Sequence, residues 1–372
     1  MVTCLWFFIG CNSNVNEDYW QNVSFVGENH SVVYDLIFDT IFFDNLQLSH
    51  IGELTINRDT FFFFDHFLGN LNLFSIDGHH IGTHLGFGSG PNEIFNARNF
   101  VSTEDGYIVL GSMIDYYALS PAFEIKKRSL INWGGNNSPE MVYYEPKPDM
   151  VEIYELLKPQ NLPKIFKNKY LLMPVHTEHY KYNGFISSDY YRDSRIFAIL
   201  NIETEQIERV EGRRSPEYLK YRYLPNFDFF NFDLLGNEIV VSYNIDSCLY
   251  ILNSAFIPIA KFGFAGKNMN TDYRQTIGYD DAIDNFLFDR YEFGYYNFVT
   301  VVEETGLIFR TYTRGGNLPN GLQVYNKEFN LIADVNVPPG FRIIGNKGNV
   351  YFAECTNGIE SNPMYVLKFD FN

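Results

Sequence analysis

Two histidines beside a glutamate are the residues in this chain whose types and spacing most suggest chemistry. His176 and His179 flank Glu178 in a short segment, and Zn²⁺ takes imidazole and carboxylate groups as ligands in proteins. The segment has the pattern of a strand that runs into a loop, and no further ligand lies near it in the sequence. On this ligand count the sequence predicts no metal site here.

A second group of histidines lies in a strand-like run, where His80 and His84 would share one face. At about 3.3 Å per residue they would lie roughly 13 Å apart, which is too far for one ion. The glycine-rich segment from Gly86 to Pro91 follows, without the Lys-Ser/Thr pair and the helix that a phosphate-binding loop needs. We therefore predict a tight connector in which Glu93 accepts hydrogen bonds from backbone amides.

Other catalytic patterns do not single out residues in this sequence. No Gly-x-Ser-x-Gly nucleophile motif occurs, and the aspartates at 280, 281 and 284 lack the glycine and terminal glutamate of a calcium-binding loop. The 45 acidic residues are too many for two of them to be assigned to glycoside hydrolysis. The sequence therefore predicts no catalytic residue, no metal and no cofactor.

Charge and composition narrow the range of partners. The 372 residues carry a formal net charge of −17, and so acidic a surface repels both phosphate backbones and anionic lipids. Binding to nucleic acid and polybasic attachment to a membrane are therefore not expected. Aromatic residues make up 18% of the chain, which favours strands because flat, bulky side chains pack well on a pleated surface.

The elements that must position any site follow a recurring pattern of strand, turn and strand. Its copies turn near residues 77, 121, 204, 255 and 327, and a sixth copy, 365–369, is a single strand at the end of the chain. Further apolar strands precede several copies, at 106–110, 236–242 and 348–353. Each unit therefore matches the four-stranded antiparallel blade of a propeller, and six copies predict an all-β, six-bladed β-propeller.

The long interval between the turns near 121 and 204 leaves a seventh, degenerate blade as the alternative. The prediction of six blades treats parts of the chain as insertions instead, and one of them contains a helix-like piece at 149–157. The insertions are expected at 132–162, 176–193 and 264–290.

The single strand 365–369 needs a partner, because an open ring leaves strand edges that promote aggregation. We expect a strand near the N-terminus, at 31–38, to complete the last blade and close the ring.

The N-terminal residues have the pattern of an export signal. Residues 2–10 form an apolar run that is shorter than the roughly 20 residues that span a bilayer and has the length of a signal-peptide core. Phe8-Ile9-Gly10-Cys11 resembles a bacterial lipobox, in which a small residue precedes the cysteine that becomes lipidated. No lysine or arginine precedes the run, and Phe8 replaces the usual leucine, so a buried N-terminal strand is the alternative.

These N-terminal features divide the chain into a signal peptide at 1–10, a lipidated tether at 11–30 and a β-propeller domain at 31–372. Lipid attachment is expected at Cys11, and membrane association is expected through this anchor only.

Three motifs occur in a recognisable order at the start of the repeats: Phe61-Phe62-Phe63-Phe64-Asp65, then Leu73–Gly78, then Gly86–Glu93. They resemble the strand, hairpin and connector of the six-bladed, TolB-like propeller lipoproteins of Bacteroidetes, whose function is uncharacterised. Residues 291–296 and Ile308-Phe309-Arg310 resemble a later blade of these proteins. The resemblance implies a propeller and an envelope location, and it implies no particular activity.

Propellers place their ligands at the mouth of the central channel, on loops that join the strands of successive blades. Five residues fall on such loops and are candidate ligand contacts: Glu93, Arg98, His176, Arg310 and Arg314. The leading hypothesis is a non-enzymatic outer-membrane lipoprotein, facing the periplasm or the cell surface, whose propeller binds a glycan, a peptide or an envelope partner protein. The alternative is a hydrolase or lyase that acts on a sugar or lactone, which rests on fold analogy alone.

Overall fold

The computed structural model describes residues 19–32, 36–111, 114–157 and 162–371, and within them the strands form six sheets. Three short strands precede the first complete sheet, and the sheets then follow in chain order as blades 1 to 6. The three are β1 (Ser24–Phe25), β2 (Asn29–Val32) and β3 (Asp39–Phe42).

In each of blades 1 to 3, the strands follow one another in sequence order from the channel outward. Blade 1 contains β4 (Gly52–Asn57), β5 (Thr60–Asp65), β6 (Asn70–Ser75) and β7 (His80–Leu85). Blade 2 contains β8 (Ala97–Thr103), β9 (Gly106–Gly111), β10 (Asp115–Leu119) and β11 (Ile125–Leu130). Blade 3 contains β12 (Glu155–Leu156), β13 (Lys164–Phe166), β14 (Tyr170–His176), β15 (Phe197–Asn201) and β16 (Gln206–Glu211).

Blades 4 and 5 have the same order, and blade 6 takes its outermost strand from the N-terminal region. Blade 4 contains β17 (Phe230–Leu235), β18 (Glu238–Tyr243), β19 (Leu249–Leu252) and β20 (Pro258–Phe262). Blade 5 contains β21 (Tyr295–Val302), β22 (Leu307–Thr313), β23 (Asn320–Tyr325) and β24 (Leu331–Val337). Blade 6 contains β25 (Arg342–Lys347), β26 (Val350–Glu354), β27 (Tyr365–Asp370) and β3.

The innermost strands complete a ring. Contacts run from β4 to β8, and on through β13, β17, β21 and β25 back to β4. The predicted all-β, six-bladed propeller of four-stranded antiparallel blades is therefore confirmed, and the seven-bladed alternative is wrong. The long interval between the second and third hairpins contains insertions, because its described residues outside blade 3 form short helices and turns.

The helices are short and lie in the connections between strands. The helix-like piece expected at 149–157 is instead a single 3₁₀ turn, Val151–Ile153, followed by β12, whereas the helix of this connector lies earlier, where Pro139 follows the capping side chain of Ser138. The described helices are Pro139–Tyr144, Ser188–Asp193, Tyr279–Asp284, Phe286–Glu292 and Thr356–Ile359, with further 3₁₀ turns at Pro216–Lys220 and Pro225–Phe227. None of the helices that the structure describes is long and apolar enough to cross a membrane.

The second strand of blade 1 shows why the blades are rich in aromatic residues. Phe61 and Phe63 pack into the seam with blade 6, while Phe62 and Phe64 pack into the seam with blade 2. Side chains alternate across a strand, so a strand between two neighbouring blades buries every position. The run of four phenylalanines is the sequence of a strand with two buried faces.

Ring closure uses a different N-terminal segment from the one expected. The strand that pairs with β27 is β3, with Tyr365 opposite Phe42 and Leu367 opposite Thr40. The expected donor, 31–38, is therefore wrong in position, although closure by an N-terminal strand is confirmed; residues 33–35 lie outside the described part. The physical reason is Phe43, which follows β3 and is buried in the seam between blades 6 and 1.

The residues before β3 lie along the outer edges of two other blades. Strand β1 pairs in parallel with β20 of blade 4, and β2 pairs in parallel with β24 of blade 5. Residues 19–30 of the expected tether therefore lie against the propeller, whereas residues 11–18 lie outside the described part. The predicted signal peptide and the predicted lipidation site Cys11 also lie outside it.

Candidate functional site

Strand direction divides the propeller into two faces. Because successive strands of a blade run in opposite directions, the connections between blades and the turns between second and third strands emerge on one side. We call this side the connector face. The long insertions that the structure describes lie on it, at 131–154, 177–196, 212–229 and 263–294.

Exposed apolar side chains are concentrated on the connector face. Examples from four blades are Phe67, Phe87, Phe95, Tyr144 and Leu318. The largest group lies on the two helices between blades 4 and 5 and just before the first of them, and we call it the helical patch: Ile277, Tyr279, Ile283, Leu287, Phe288 and Tyr291. Large exposed apolar areas are uncommon on monomeric proteins and mark interaction sites.

Two members of the helical patch are almost fully exposed, since Ile277 is 89% and Leu287 is 81% accessible to solvent. The patch also extends across the seam to blade 3, where the Phe185 and Tyr279 ring centroids lie 5.0 Å apart. An insertion of blade 3 therefore contributes to the same surface.

Ion pairs that are partly exposed at Arg274 and Asp281 and buried at Asp289 hold the helical patch in place. Arg274 donates to both carboxylate oxygens of Asp281, at 3.0 and 2.8 Å, and to both oxygens of Asp289, at 2.9 Å each. Asp289 is fully buried and accepts a further hydrogen bond from Asn226 at 2.8 Å. The hydrogen bonds to Asp289 and Asp281 raise the pKa of Arg274 above its ordinary value. The patch therefore rests on a rigid base.

The central channel contains charged side chains that pair with one another. Lys164 Nζ lies 3.0 Å from Asp233 Oδ1, and Arg342 Nε lies 2.6 Å from Glu354 Oε1. Glu53 is buried, and burial raises the pKa of its carboxyl to about 7, an effect that the nearby charge of Arg342 opposes. A cavity of about 430 Å³ opens beside Glu53 and Lys164.

Two of the residues predicted as ligand contacts lie on the connector between blades 1 and 2. Glu93 Oε2 accepts a hydrogen bond from the backbone N–H of Gly90 at 2.7 Å, which confirms the predicted role of Glu93 in this glycine-rich connector. Arg98 is exposed at the start of β8. Burial lowers the pKa of His66 to about 4, and the nearby positive charge of Arg98 adds to this effect.

Two other predicted contacts are buried. Arg310 is inaccessible to solvent and donates to Ser242 Oγ at 2.8 Å and to the backbone carbonyl of Ser247 at 2.7 Å. Its guanidinium carbon lies 3.4 Å from the ring centroid of Tyr296. Arg314, 6% exposed, donates to the carbonyl of Lys267 at 2.8 Å. Arg310 therefore joins blade 5 to blade 4, and Arg314 joins blade 5 to the connector that precedes it.

The fifth predicted contact, His176, lies at the connector end of blade 3 beside two carboxylates. His176 Nε2 is 3.3 Å from Glu155 Oε1. One ligand atom from each of Glu155, His176 and Glu178 lies within 4.8 Å of the other two. The five predicted contacts therefore do not converge on one site, because they are distributed over blades 1 to 5.

Sequence reasoning missed Glu155 and the channel residues Glu53, Lys164 and Arg342. Glu155 is brought to His176 by the pairing of β12 with β14, and no local pattern marks that pairing. The channel residues lie at or near the starts of innermost strands, so the apolar strands that precede each hairpin could have identified them once the blade order was known.

Comparisons with known proteins bear on the fold. No protein-family model matches the chain, and no curated protein matches it. Two solved structures from Bacteroides are similar: a member of the DUF4221 family from Bacteroides vulgatus, with a TM-score of 0.64 and 11% identity over 91% of this chain and 98% of that one; and a putative exported protein from Bacteroides fragilis, with a TM-score of 0.53 and 15% identity over 93% and 98%. At these identities, the chain shares with both proteins its fold, a six-bladed propeller.

Proposed function

We propose that this chain is an exported lipoprotein of the bacterial cell envelope whose connector face binds a partner protein. The observation that carries the proposal is the helical patch, a set of exposed apolar side chains on a rigidly paired base. Ile277 and Leu287 are its most exposed members, and they are aliphatic. Sugars stack on aromatic rings, and the patch also contains Tyr279, Phe288 and Tyr291, but its two most exposed positions are aliphatic, which favours a protein or peptide over a glycan.

Charge supports the same kind of partner. The chain carries a net charge of −17, and Asp280 and Asp284 lie on the same helix as Ile283 of the patch. Interfaces combine an apolar centre with a polar rim, and complementary charge increases the rate of association. The partner that fits is therefore a protein with apolar side chains inside a basic surface.

The enzymatic alternative has less support. Among the described residues, the channel carboxylates Asp233 and Glu354 are paired with Lys164 and Arg342, and Glu53 accepts a hydrogen bond from a backbone amide. A hydrolase of sugars or lactones needs a carboxylate or water-activating group that is free to act on substrate. Conversion of a sugar or lactone by the purified chain would favour this alternative.

Export and lipidation rest on the N-terminal motif Phe8-Ile9-Gly10-Cys11, and a similar structure is described as a putative exported protein. Lipidation is tested by expressing the full chain and its Cys11→Ser variant in a Bacteroides host. The wild-type chain should enter the membrane fraction with a diacylglyceryl cysteine detected by mass spectrometry, and the variant should not. An unmodified Cys11 in an uncleaved chain would refute lipidation.

Binding is tested by site-specific photo-cross-linking in the same host. A photoreactive amino acid at position 287 should give one dominant adduct, and the same group at Ile81, which is 58% exposed on the outer strand of blade 1, should not. The partner identified in this way should bind the purified chain, and Leu287→Asp should weaken binding at least about tenfold, as for a central interface residue. Equal adducts at both positions would contradict a specific surface.

A further inference from the structure

A cluster of one imidazole and two carboxylates lies at the connector end of blade 3, outside the helical patch. It consists of Glu155, His176 and Glu178, and their ligand atoms lie within 4.8 Å of one another. We propose that these three side chains bind one divalent transition-metal ion, such as Zn²⁺. This inference does not depend on the proposed function.

Strand register brings the three side chains to one face. Glu155 and His176 are directly opposed in the β12–β14 pair, and opposed residues of paired strands place their side chains side by side. Glu178 follows two residues after His176, so an extended backbone returns it to the same side. The burial pattern agrees, since Thr177 between them is 3% exposed while Glu178 is exposed.

The cluster lies at the channel side of blade 3. Strand β14 has β15 on its outer side, and both β12 and β13 pair on the opposite edge. Leu156 and Val175 pack in the seam toward blade 2, whereas Leu157 packs with the core that blade 4 shares. Because side chains alternate, Glu155 and His176 therefore face blade 4 at the channel edge of the connector face.

The geometry is close to that of a metal site. In a tetrahedral zinc site with ligand distances of about 2.1 Å, ligand atoms are roughly 3.4 Å apart. The His176–Glu155 distance of 3.3 Å already matches this value. Glu155 and Glu178 are exposed, so rotation of their side chains can bring the third ligand atom into range.

Charge also favours a cation. Among the described residues, neither Glu155 nor Glu178 forms an ion pair with a lysine or arginine, and the ion pair of Glu155 is with His176. Two carboxylates and a neutral imidazole together carry a charge of about −2, which one divalent ion neutralises. Three protein ligands leave a coordination position open for water or for a group of a bound molecule.

The test is a titration of the full chain with Zn²⁺ by isothermal calorimetry. The chain carries Cys4→Ser and Cys11→Ser, so that the N-terminal thiols do not bind the metal. One equivalent of Zn²⁺ should bind. Changes outside the ligands already cost 10–100-fold in metal affinity, so His176→Asn, Glu155→Gln and Glu178→Gln should each weaken binding by at least about tenfold.

The matched control is Glu28→Gln, which removes the carboxylate beside His30 in an exposed pair with an Nε2–Oε2 distance of 3.0 Å. No third ligand lies beside this pair among the described residues. Its Zn²⁺ affinity should equal that of the parent chain. Unchanged circular dichroism spectra of the variants establish that they fold. The proposal is overturned if the parent chain binds less than half an equivalent, if the three ligand variants bind like the parent, or if Co²⁺ in place of Zn²⁺ gives the absorption of a thiolate complex.

Discussion

The side chain of Glu53 in blade 1 accepts a hydrogen bond from the backbone N–H of Phe100 in blade 2, with an Oε2–N distance of 3.2 Å. The same kind of hydrogen bond occurs between blades 4 and 5, where the side chains of Asn231 and Asp233 accept hydrogen bonds from the backbone N–H groups of Val299 and Val301. An innermost strand has no neighbouring strand on its channel side, so half of its backbone groups lack a ladder partner. Polar side chains from the preceding blade provide that partner and join the blades.

The buried carboxyl of Glu53 predicts that stability depends on pH. Its pKa is raised from 4.5 to about 7 in the folded protein, so the folded state holds the proton more tightly than the unfolded state does. The contribution of this group is therefore complete below pH 4.5 and is lost as the pH rises through 7. From 1.36 kcal/mol per pKa unit, the loss is about 3 kcal/mol at most.

The variant Glu53→Gln should lack this loss, because the neutral amide keeps the acceptor for Phe100 and carries no charge. Its free energy of unfolding, measured with urea from pH 4.5 to 8, should exceed that of the wild-type protein most at pH 8. The exposed Glu104 supplies the control, since Glu104→Gln should follow the wild-type curve. Parallel curves for Glu53→Gln and the wild-type protein would show that the pKa of Glu53 is the same in the folded and unfolded states.

Replacement of Arg310 should lower the free energy of unfolding more than most single substitutions do. It is inaccessible to solvent, and it donates to Ser242 Oγ and to the carbonyl of Ser247 while lying over the ring of Tyr296. Arg310→Met leaves those buried acceptors without donors, and we expect a loss of about 3–5 kcal/mol in the free energy of unfolding.

The comparison for Arg310 is Arg209→Met, because the side chain of Arg209 is 43% exposed and pairs with surface glutamates. This change should cost less than about 1 kcal/mol. Urea unfolding of both variants at pH 7 measures the difference, and equal losses would mean that the buried hydrogen bonds of Arg310 add little net stability.

The fold was predictable because its signals are local. The turn predicted at Asp77-Gly78 joins β6 to β7, and the one predicted near Asn326 joins β23 to β24; each hairpin is encoded within about fifteen residues of sequence. The helix expected at 149–157 failed because its apolar residues Val151 and Ile153 instead pack into the seam of blades 2 and 3, so tertiary contacts outweigh local propensity.

The cluster of Glu155, His176 and Glu178 was less predictable because it depends on pairing between segments that are distant in the sequence. His176 was recognised from its neighbours, but Glu155 reaches it only through the β12–β14 register. The sequence analysis predicted Arg310 at the channel mouth because of its position near a strand end. In the structure its side chain faces the seam with blade 4. The alternation of side chains along a strand shows which residues share a face of that strand. It does not show which neighbouring blade that face contacts.

Ring closure should depend on Phe43, which is 2% exposed and packs against Phe61 and Phe74 at ring-centroid distances of 5.3 and 4.6 Å. Phe43→Ala creates a cavity that we expect to cost about 3–5 kcal/mol. Weakened docking of β3 also frees the edge of β27, and free strand edges pair with other chains. The variant should therefore form oligomers as its concentration is raised, measured by light scattering after size-exclusion chromatography.

The neighbouring Phe42 provides the control for Phe43, because it lies on the other face of the strand and is 58% exposed. Phe42→Ala should keep the oligomeric state of the wild-type protein and lose at most about 1 kcal/mol in the free energy of unfolding. Monomeric behaviour of Phe43→Ala at all concentrations would mean that β3 stays paired without its aromatic anchor.

The N-terminal segment should be released from blade 4 by a single substitution. The ring of Trp20 lies 4.6 Å from that of Tyr250, and immediately after β1 the backbone N–H of Val26 donates to the carbonyl of Lys261 at 2.9 Å. Parallel pairing over only two residues, Ser24 and Phe25, is too short to persist by itself. Trp20→Ala should therefore raise the amide hydrogen-exchange rate of Val26 at least about tenfold, since stability differs between regions of a protein and the ring of Trp20 packs against blade 4 beside two other contacts of this segment, Phe25 with Phe264 and Tyr19 with the carbonyl of Phe256.

Exchange in the blade itself distinguishes local release from general destabilisation. Amides of β18, at the centre of blade 4, should keep their wild-type protection in Trp20→Ala, because β18 pairs with β17 and β19 and not with the N-terminal segment. Trp133→Ala serves as the second control, since Trp133 Nε1 donates to the carbonyl of Val151 in another seam and its loss should leave Val26 unchanged. If Val26 stays protected in Trp20→Ala, the backbone pairing and the contacts of Tyr19 and Phe25 hold this segment without Trp20, and the length from the propeller to any membrane anchor is shorter than residues 11–30 would allow.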